Sequence, residues 1–165
     1  MLKIKNGRLQ VAGIEFSMPD GFFIDVEGME TVNENGLKFI LMPDECYITT
    51  SATERIFDSA MDSLLDVFGE ADELKNMDIH EFNKKETGYK WLIVPEIREC
   101  NGLKYACVKY EGPKCCYFEM HFECVDGCDR QLEILLSVPK QKGEIETILK
   151  KSEIKNFFEG IEKAK

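Results

Sequence analysis

An α+β fold is the class this sequence predicts: a mainly antiparallel sheet with one mid-chain helix and one long C-terminal helix packed on it. Three observations carry that expectation. Apolar residues recur at every second position through most of the chain, and they switch to a 3.6-residue period after residue 53 and again near residue 144. Asn-Gly and Asp-Gly dipeptides punctuate the strand-like runs, as they do in tight hairpins. The regular strand–helix alternation of a doubly wound parallel sheet is missing.

The elements follow in order. Asn6-Gly7 lies between two alternating runs, residues 2–5 and 8–11, and predicts a hairpin. A strand over 14–17 ends at Pro19-Asp20-Gly21, and strands over 22–26, 37–41 and 47–50 continue the strand-rich half. Phe57, Ala60, Met61, Leu64, Leu65 and Phe68 then share one helical face, predicting a helix over 53–68. Ser51-Ala52-Thr53-Glu54 has the form of a capping box for it, and Gly69 suits its end. After a polar stretch, 70–86, strands are expected near 89–94, 104–110, 116–125 and 131–138, with Asn101-Gly102 and Asp126-Gly127 at turns between antiparallel neighbours. Ile145, Ile148, Leu149, Phe157, Phe158 and Ile161 close the chain at helical spacing, over about 144–161, with Ser152 placed to cap a second segment.

Composition narrows the functions. A chain of 165 residues with 44% apolar content is long enough for a core without staples, and with no linker, low-complexity tract or repeat it reads as a single domain over residues 1–165. The formal net charge of -10 repels phosphate backbones and anionic headgroups, which argues against nucleic acid and membrane surfaces as partners. The opening residues alternate instead of forming the continuous apolar stretch of a signal peptide, and no run approaches the roughly 18 apolar residues of a membrane span. A cytoplasmic location is expected. The seven cysteines, Cys46, Cys100, Cys107, Cys115, Cys116, Cys124 and Cys128, therefore read as reduced thiols.

The element order, opening on the FSMPDGFFIDV segment of residues 16–26 with its apolar-Pro-x-Gly-aromatic pattern, resembles the PsbP-like (Mog-type) superfamily over most of the chain. Members of that superfamily are mostly binding or assembly factors without enzymatic activity. The resemblance implies a binding module and transfers no site residues.

Candidate chemistry is sparse. Cys115, Cys116, His121, Cys124 and Cys128 supply zinc-compatible side chains within 14 residues. On a strand, however, Cys116, Phe118, Met120, Phe122 and Cys124 share one face, and Cys115, Tyr117, Glu119, His121 and Glu123 share the other. The ligands then point apart, so Cys116 and Cys124 are expected to be buried, with Cys115 and His121 facing away from them and no metal site assigned. A cysteine nucleophile needs a base, and only His80 and His121 exist. Cys115 and His121 would lie about 20 Å apart along one strand, which leaves Cys107 or Cys100 on a neighbouring strand as the better placed thiols. Serine-hydrolase, P-loop, dinucleotide and zinc-protease patterns are absent from the sequence, and no cofactor is expected.

The acids are distributed unevenly. Glu54, Asp58, Asp62, Asp66 and Glu70 recur every four residues, which on one helix makes an acidic ridge that costs about 0.2–0.5 kcal/mol per like-charged pair. Residues 54–78 hold eight acids and two bases. A solvated face explains such a ridge, and a docking surface for a basic protein partner is the sharper reading. The sequence thus favours a non-enzymatic cytoplasmic binding or interaction domain. An acidic inhibitor or immunity-type protein that covers a basic partner is the alternative, followed by a small enzyme with a cysteine or carboxylate site.

Overall fold

The computed structural model describes residues 3–5, 7–24, 36–41 and 45–165. The strand-rich half contains β1 (Lys3–Lys5), β2 (Arg8–Val11), β3 (Ile14–Phe16), β4 (Phe22–Ile24), β5 (Gly36–Leu41) and β6 (Cys46–Glu54). Three short helices follow: α1 (Ala60–Asp66), α2 (Ala71–Leu74) and α3 (Ile79–Asn83). Next come β7 (Lys90–Trp91), β8 (Glu96–Cys100), β9 (Leu103–Glu111), β10 (Cys115–Phe122) and β11 (Arg130–Pro139). Helices α4 (Ile145–Leu149) and α5 (Ser152–Glu159) and the two-residue β12 (Glu162–Lys163) end the chain.

Every described strand pair is antiparallel, as the turn dipeptides predict, but the strands divide into two sheets. The smaller runs β1-β2-β3-β12; the larger runs β4-β5-β6-β11-β10-β9, with β7 and β8 both paired to β9. The first hairpin forms with Lys5 opposite Arg8; Leu2 and Asn6, and residues 25–26 of the 22–26 strand, lie outside the described residues. Asn101 and Gly102 take φ of 50° and 80° between Cys100 and Leu103, the conformation a type I′ turn requires. That hairpin joins β8 to β9. The strand expected over 89–94 is reduced to β7, because regular pairing stops over residues 92–95 and β8 resumes it with β9.

Ala12 and Gly13 make the same kind of turn between β2 and β3, and here glycine is required twice over. Gly13 has φ 76°, and a Cβ on it would stand 2.8 Å from Cys128 Sγ and 3.1 Å from Val125. Gly13→Ala is therefore expected to cost about 2 kcal/mol, read as a lower denaturation midpoint at unchanged slope.

The mid-chain helix is shorter than its periodicity suggests. Residues 53 and 54 finish β6, where Cys46, Ile48, Thr50 and Ala52 alternate inward and residues 47–54 pair with β11. Long-range pairing thus overrides the local capping pattern of Ser51 to Glu54. The real cap is Ser59, whose hydroxyl accepts the Asp62 amide at 3.1 Å, and Glu123 reaches over from beyond β10 to accept the Ala60 amide at 3.1 Å. In the 70–86 stretch, Asp78 caps α3 by accepting the Glu81 amide, which holds its carboxyl below the usual carboxylate range.

One long C-terminal helix does not form. It is broken into α4 and α5 by extended backbone at Lys151, and Ser152 is the first helical residue of α5 and not its cap. The reason is rotational phase. On one straight helix Ile145 and Ile154 would point about 180° apart, as would Ile148 and Phe157. The break lets all four bury on the same core.

The larger sheet is covered on both faces. One face, carrying Leu103, Tyr105, Cys107, Phe118, Met120 and Phe122, joins the core shared with the small sheet, α4 and α5, where Phe16 meets Phe157 edge-on at 5.7 Å. The other face, carrying Ala106, Val108 and Tyr110, packs under α1, α2 and α3 with Trp91. Arg8 ties the chain's end to the small sheet, donating to the Gly160 carbonyl at 2.7 Å. Among the described residues no helix is long and apolar enough to cross a membrane.

Candidate functional site

The face of β10 that carries Glu119 and His121 is where the structure gathers polar side chains. Both point toward α1, and the helix covers them: His121 is 1% exposed, Ser63 4% and Glu119 7%. His121 Nδ1 lies 2.7 Å from Ser63 Oγ, and its Nε2 lies 2.6 Å from Glu119 Oε2. The Tyr110 hydroxyl donates to the other oxygen, Glu119 Oε1, at 2.7 Å. With the imidazole hydrogen on Nε2, the Ser63 hydroxyl donates to Nδ1 and Nε2–H donates to Glu119, so every member of the chain is satisfied. Glu133 stands 3.6 Å from Nδ1 and accepts a hydrogen bond from the Thr53 hydroxyl. Burial, then the neighbouring Glu119 charge, raises the pKa of Tyr110 and keeps it a neutral donor.

Serine, histidine and carboxylate in this order have the connectivity of a nucleophile, a base and the group that orients the base. Access decides against that chemistry in this conformation. A substrate carbonyl must come within about 3 Å of the nucleophile, and Ser63 sits mid-helix pressed onto the sheet with its hydroxyl committed to the imidazole. The arrangement instead fastens α1 to β10 through the Ser63–His121 bond and carries on through His121–Glu119 to Tyr110 of β9, a chain of three buried hydrogen bonds. Sequence parity separates His121 correctly from Met120 and Phe122, but the face that carries His121 is not open to solvent. It is buried because a helix lies over it.

The cysteines follow parity less fully. Cys116 and Cys124 are half-buried and not buried, since Cys116 is only the second residue of β10 and Cys124 lies two residues past its end, and Cys115 is half-buried on the opposite face. Burial pushes the thiols of Cys116 and Cys124 up. Cys107 lies opposite Met120, on the face away from His121, so the two cannot form a dyad. The Cys100 thiol reaches the carbonyls of Phe158 and Ile161. None of Cys100, Cys107, Cys115, Cys116, Cys124 and Cys128 is in a disulfide, and among the described residues no group of three or more His, Cys, Asp or Glu is placed to hold a metal. Burial pushes the Cys107 thiol up to about 11. Native protein at pH 7 is expected to resist iodoacetamide at Cys107 and to react there once denatured, which peptide mass spectrometry distinguishes.

The five acids of the predicted ridge do not lie along one helix. Glu54 ends β6, Asp58 precedes α1, Asp62 and Asp66 lie within α1, and Glu70 is the N-cap of α2. Asp62 is taken up by Lys75 at 2.9 Å, whereas Asp58, Asp66 and Glu70 are exposed. The same segment helps to form a cleft of about 400 Å³, lined by the apolar Met61, Leu65, Leu74, Met77, Val94 and Pro95 and by Lys75, Asn76 and Asp78. Leu92 and Val94 remain 43% and 41% exposed next to it in the chain's path to β8. Sequence reasoning missed this cleft because its walls come from α1, the end of α2 with residues 75–78, and residues 94–95, which only the tertiary fold brings together.

No family model matches the sequence, and no characterised protein matches it by sequence comparison. Solved structures do align. Cyanobacterial PsbP (CyanoP) from Synechocystis superposes with a TM-score of 0.53 over 98% of this chain and 90% of that one, at 15% identity. The fold resembles that of PsbP. A structure from Bacteroides thetaiotaomicron aligns with a TM-score of 0.47 at 14% identity, over 94% of this chain and 47% of that one. The PsbP-like likeness is one of fold and carries no side chain of the Ser63–His121–Glu119 chain or of the cleft with it.

Proposed function

We propose that this PsbP-like fold serves as a non-enzymatic binding domain in the cytoplasm, a single unit of 165 residues that docks a basic protein partner on the flank built by α1, α2 and α3. The observation that carries the reading is the Met61/Met77 cleft, an apolar depression walled by Val94 and Pro95 on one side and otherwise by the segment 54–78, which holds eight acids and two bases. Thioether side chains adapt to the shape they meet, and carboxylates around them steer and orient a cationic surface. The inhibitor or immunity-type reading uses the same surface and differs in the identity of the partner. The enzyme reading finds its best footing in Ser63, His121 and Glu119, and their closure under α1 counts against it.

Capture from native cytoplasm tests the reading, with wild type compared to Asp58→Lys/Asp66→Lys/Glu70→Lys. Asp62 is left in place because its bridge to Lys75 links α1 to the residue after α2. The expected result is a basic protein retained by wild type at low salt, released as salt rises and absent from the variant's eluate. Retention by both forms alike overturns it.

A further inference from the structure

The opposite face of the molecule carries a groove of different chemistry. It lies between α4 and α5 and the strands β8, β9 and β10, with a volume of about 290 Å³. Its floor is Tyr105, Phe118, Met120, Leu149 and Phe158. Phe118 and Phe158 meet edge-on at 5.5 Å, so two rings form a fixed wall. Around this floor stand four cations, Arg98, Lys109, Lys150 and Lys155, against two carboxylates, Glu146 and Glu159. On a chain of net charge -10 this is a local reversal of sign.

The cations are not equivalent. Arg98 is held by Glu96 at 2.6 Å, and Lys109 is paired with Glu146. Lys155 meets Glu159 only at 3.9 Å with its side chain 62% exposed, and Lys150 at the break between α4 and α5 is exposed. These two remain available to an incoming anion. The break that resets the helical phase for the core also sets Lys150 and Lys155 on the rim of one groove.

We propose that this groove binds a small amphipathic carboxylate, with its head on Lys150 and Lys155 and its alkyl body along Leu149, Phe118 and Phe158. An apolar floor with a few convergent charged groups is the usual make-up of a small-molecule site, and this volume lies at the lower end of such sites. A medium-length alkyl chain fits that space, and the head selects against neutral chains because only an anion gains from the two ammonium groups. The site lies across the sheet from the α1–α3 flank and does not depend on protein docking there.

The test titrates full-length protein with octanoate and, in parallel, with 1-octanol, following backbone amide shifts by NMR. Saturable octanoate binding is expected, with shifts centred on Leu149 and Phe158, and with 1-octanol bound roughly ten-fold more weakly or worse. Lys150→Glu/Lys155→Glu, both substitutions on exposed positions, is expected to remove that preference while its thermal melt matches wild type. Leu149→Asp, at a half-buried floor position, is expected to abolish binding of both probes. Equal affinity for octanoate and 1-octanol, octanoate binding unchanged by the charge reversal, or no saturation with either probe overturns the proposal.

Discussion

Replacing His121 by alanine is expected to lower stability by about 3–5 kcal/mol, the sum of the buried groups left unsatisfied and the cavity that the truncation opens. The loss strands two groups at once. Glu119 keeps only the Tyr110 hydroxyl, and the Ser63 hydroxyl loses its partner in a site nearly closed to water. For a chain of this length that corresponds to a fall in Tm of about 6–20 °C, measured by circular dichroism. Tyr110→Phe should cost about 1.5–3 kcal/mol, since a hydrogen bond to a charged group is lost without a cavity, and Ser63→Ala about 1 kcal/mol. The ranking His121, then Tyr110, then Ser63 is part of the expectation. Because the three share one network, pairs of substitutions should fall short of additivity by about 0.5 kcal/mol or more. Additive effects, or a His121→Ala variant as stable as wild type, would show that the chain does not fasten α1.

Phe68→Ala should be as damaging, for a different reason. The Phe68 ring stands edge-on to four others: Phe82 at 5.5 Å, Tyr89 at 6.0 Å, Trp91 at 5.9 Å and Tyr110 at 4.8 Å. It is 7% exposed and packs where the chain leaves α1, so truncation opens a cavity that the stacked pair Phe82–Trp91 cannot fill without unstacking. A loss of about 3–5 kcal/mol is expected, seen as a lower midpoint in urea. Phe68→Leu retains most of the volume and loses the edge-to-face contacts, so it should recover more than half of that loss. Amide exchange should locate the damage in α1, α2 and α3, leaving the α4–α5 side protected.

The parts of the fold that could be read from the sequence are those fixed by short-range pattern. Asn101-Gly102 marked a turn because both residues must take positive φ, and the structure places them there. Helical spacing from Ala60 to Leu65 marked α1 for the same local reason. What could not be read depends on distant partners. Residues 51–54 look like a helix cap until β11 pairs with them, and the C-terminal pattern looks continuous until two isoleucines must face the same core as Ile154 and Phe157. His121 lies on the face that strand parity gives it, under a helix that parity does not show. A cue was available in β9, where Tyr105, Ala106, Cys107 and Val108 run apolar without alternation, as strands covered on both faces do. Applied to β10, that cue would have marked Glu119 and His121 as buried polar groups in need of partners. The cleft at Met61 and Met77 and the groove at Lys150 and Lys155 had no comparable cue, since each is assembled from segments far apart in the chain.

The association rate with the basic partner retained from cytoplasm tests the proposed docking flank most directly. It would be measured by stopped flow for wild type and for Asp58→Lys/Asp66→Lys/Glu70→Lys at low and at about 1 M salt, where the screening length shrinks to about 3 Å. The account predicts a rate about ten-fold or more slower in the variant at low salt, with the difference vanishing at high salt. Equal rates at low salt, in a variant whose thermal melt matches wild type, would contradict it and reduce the acids of that flank to a solvated face.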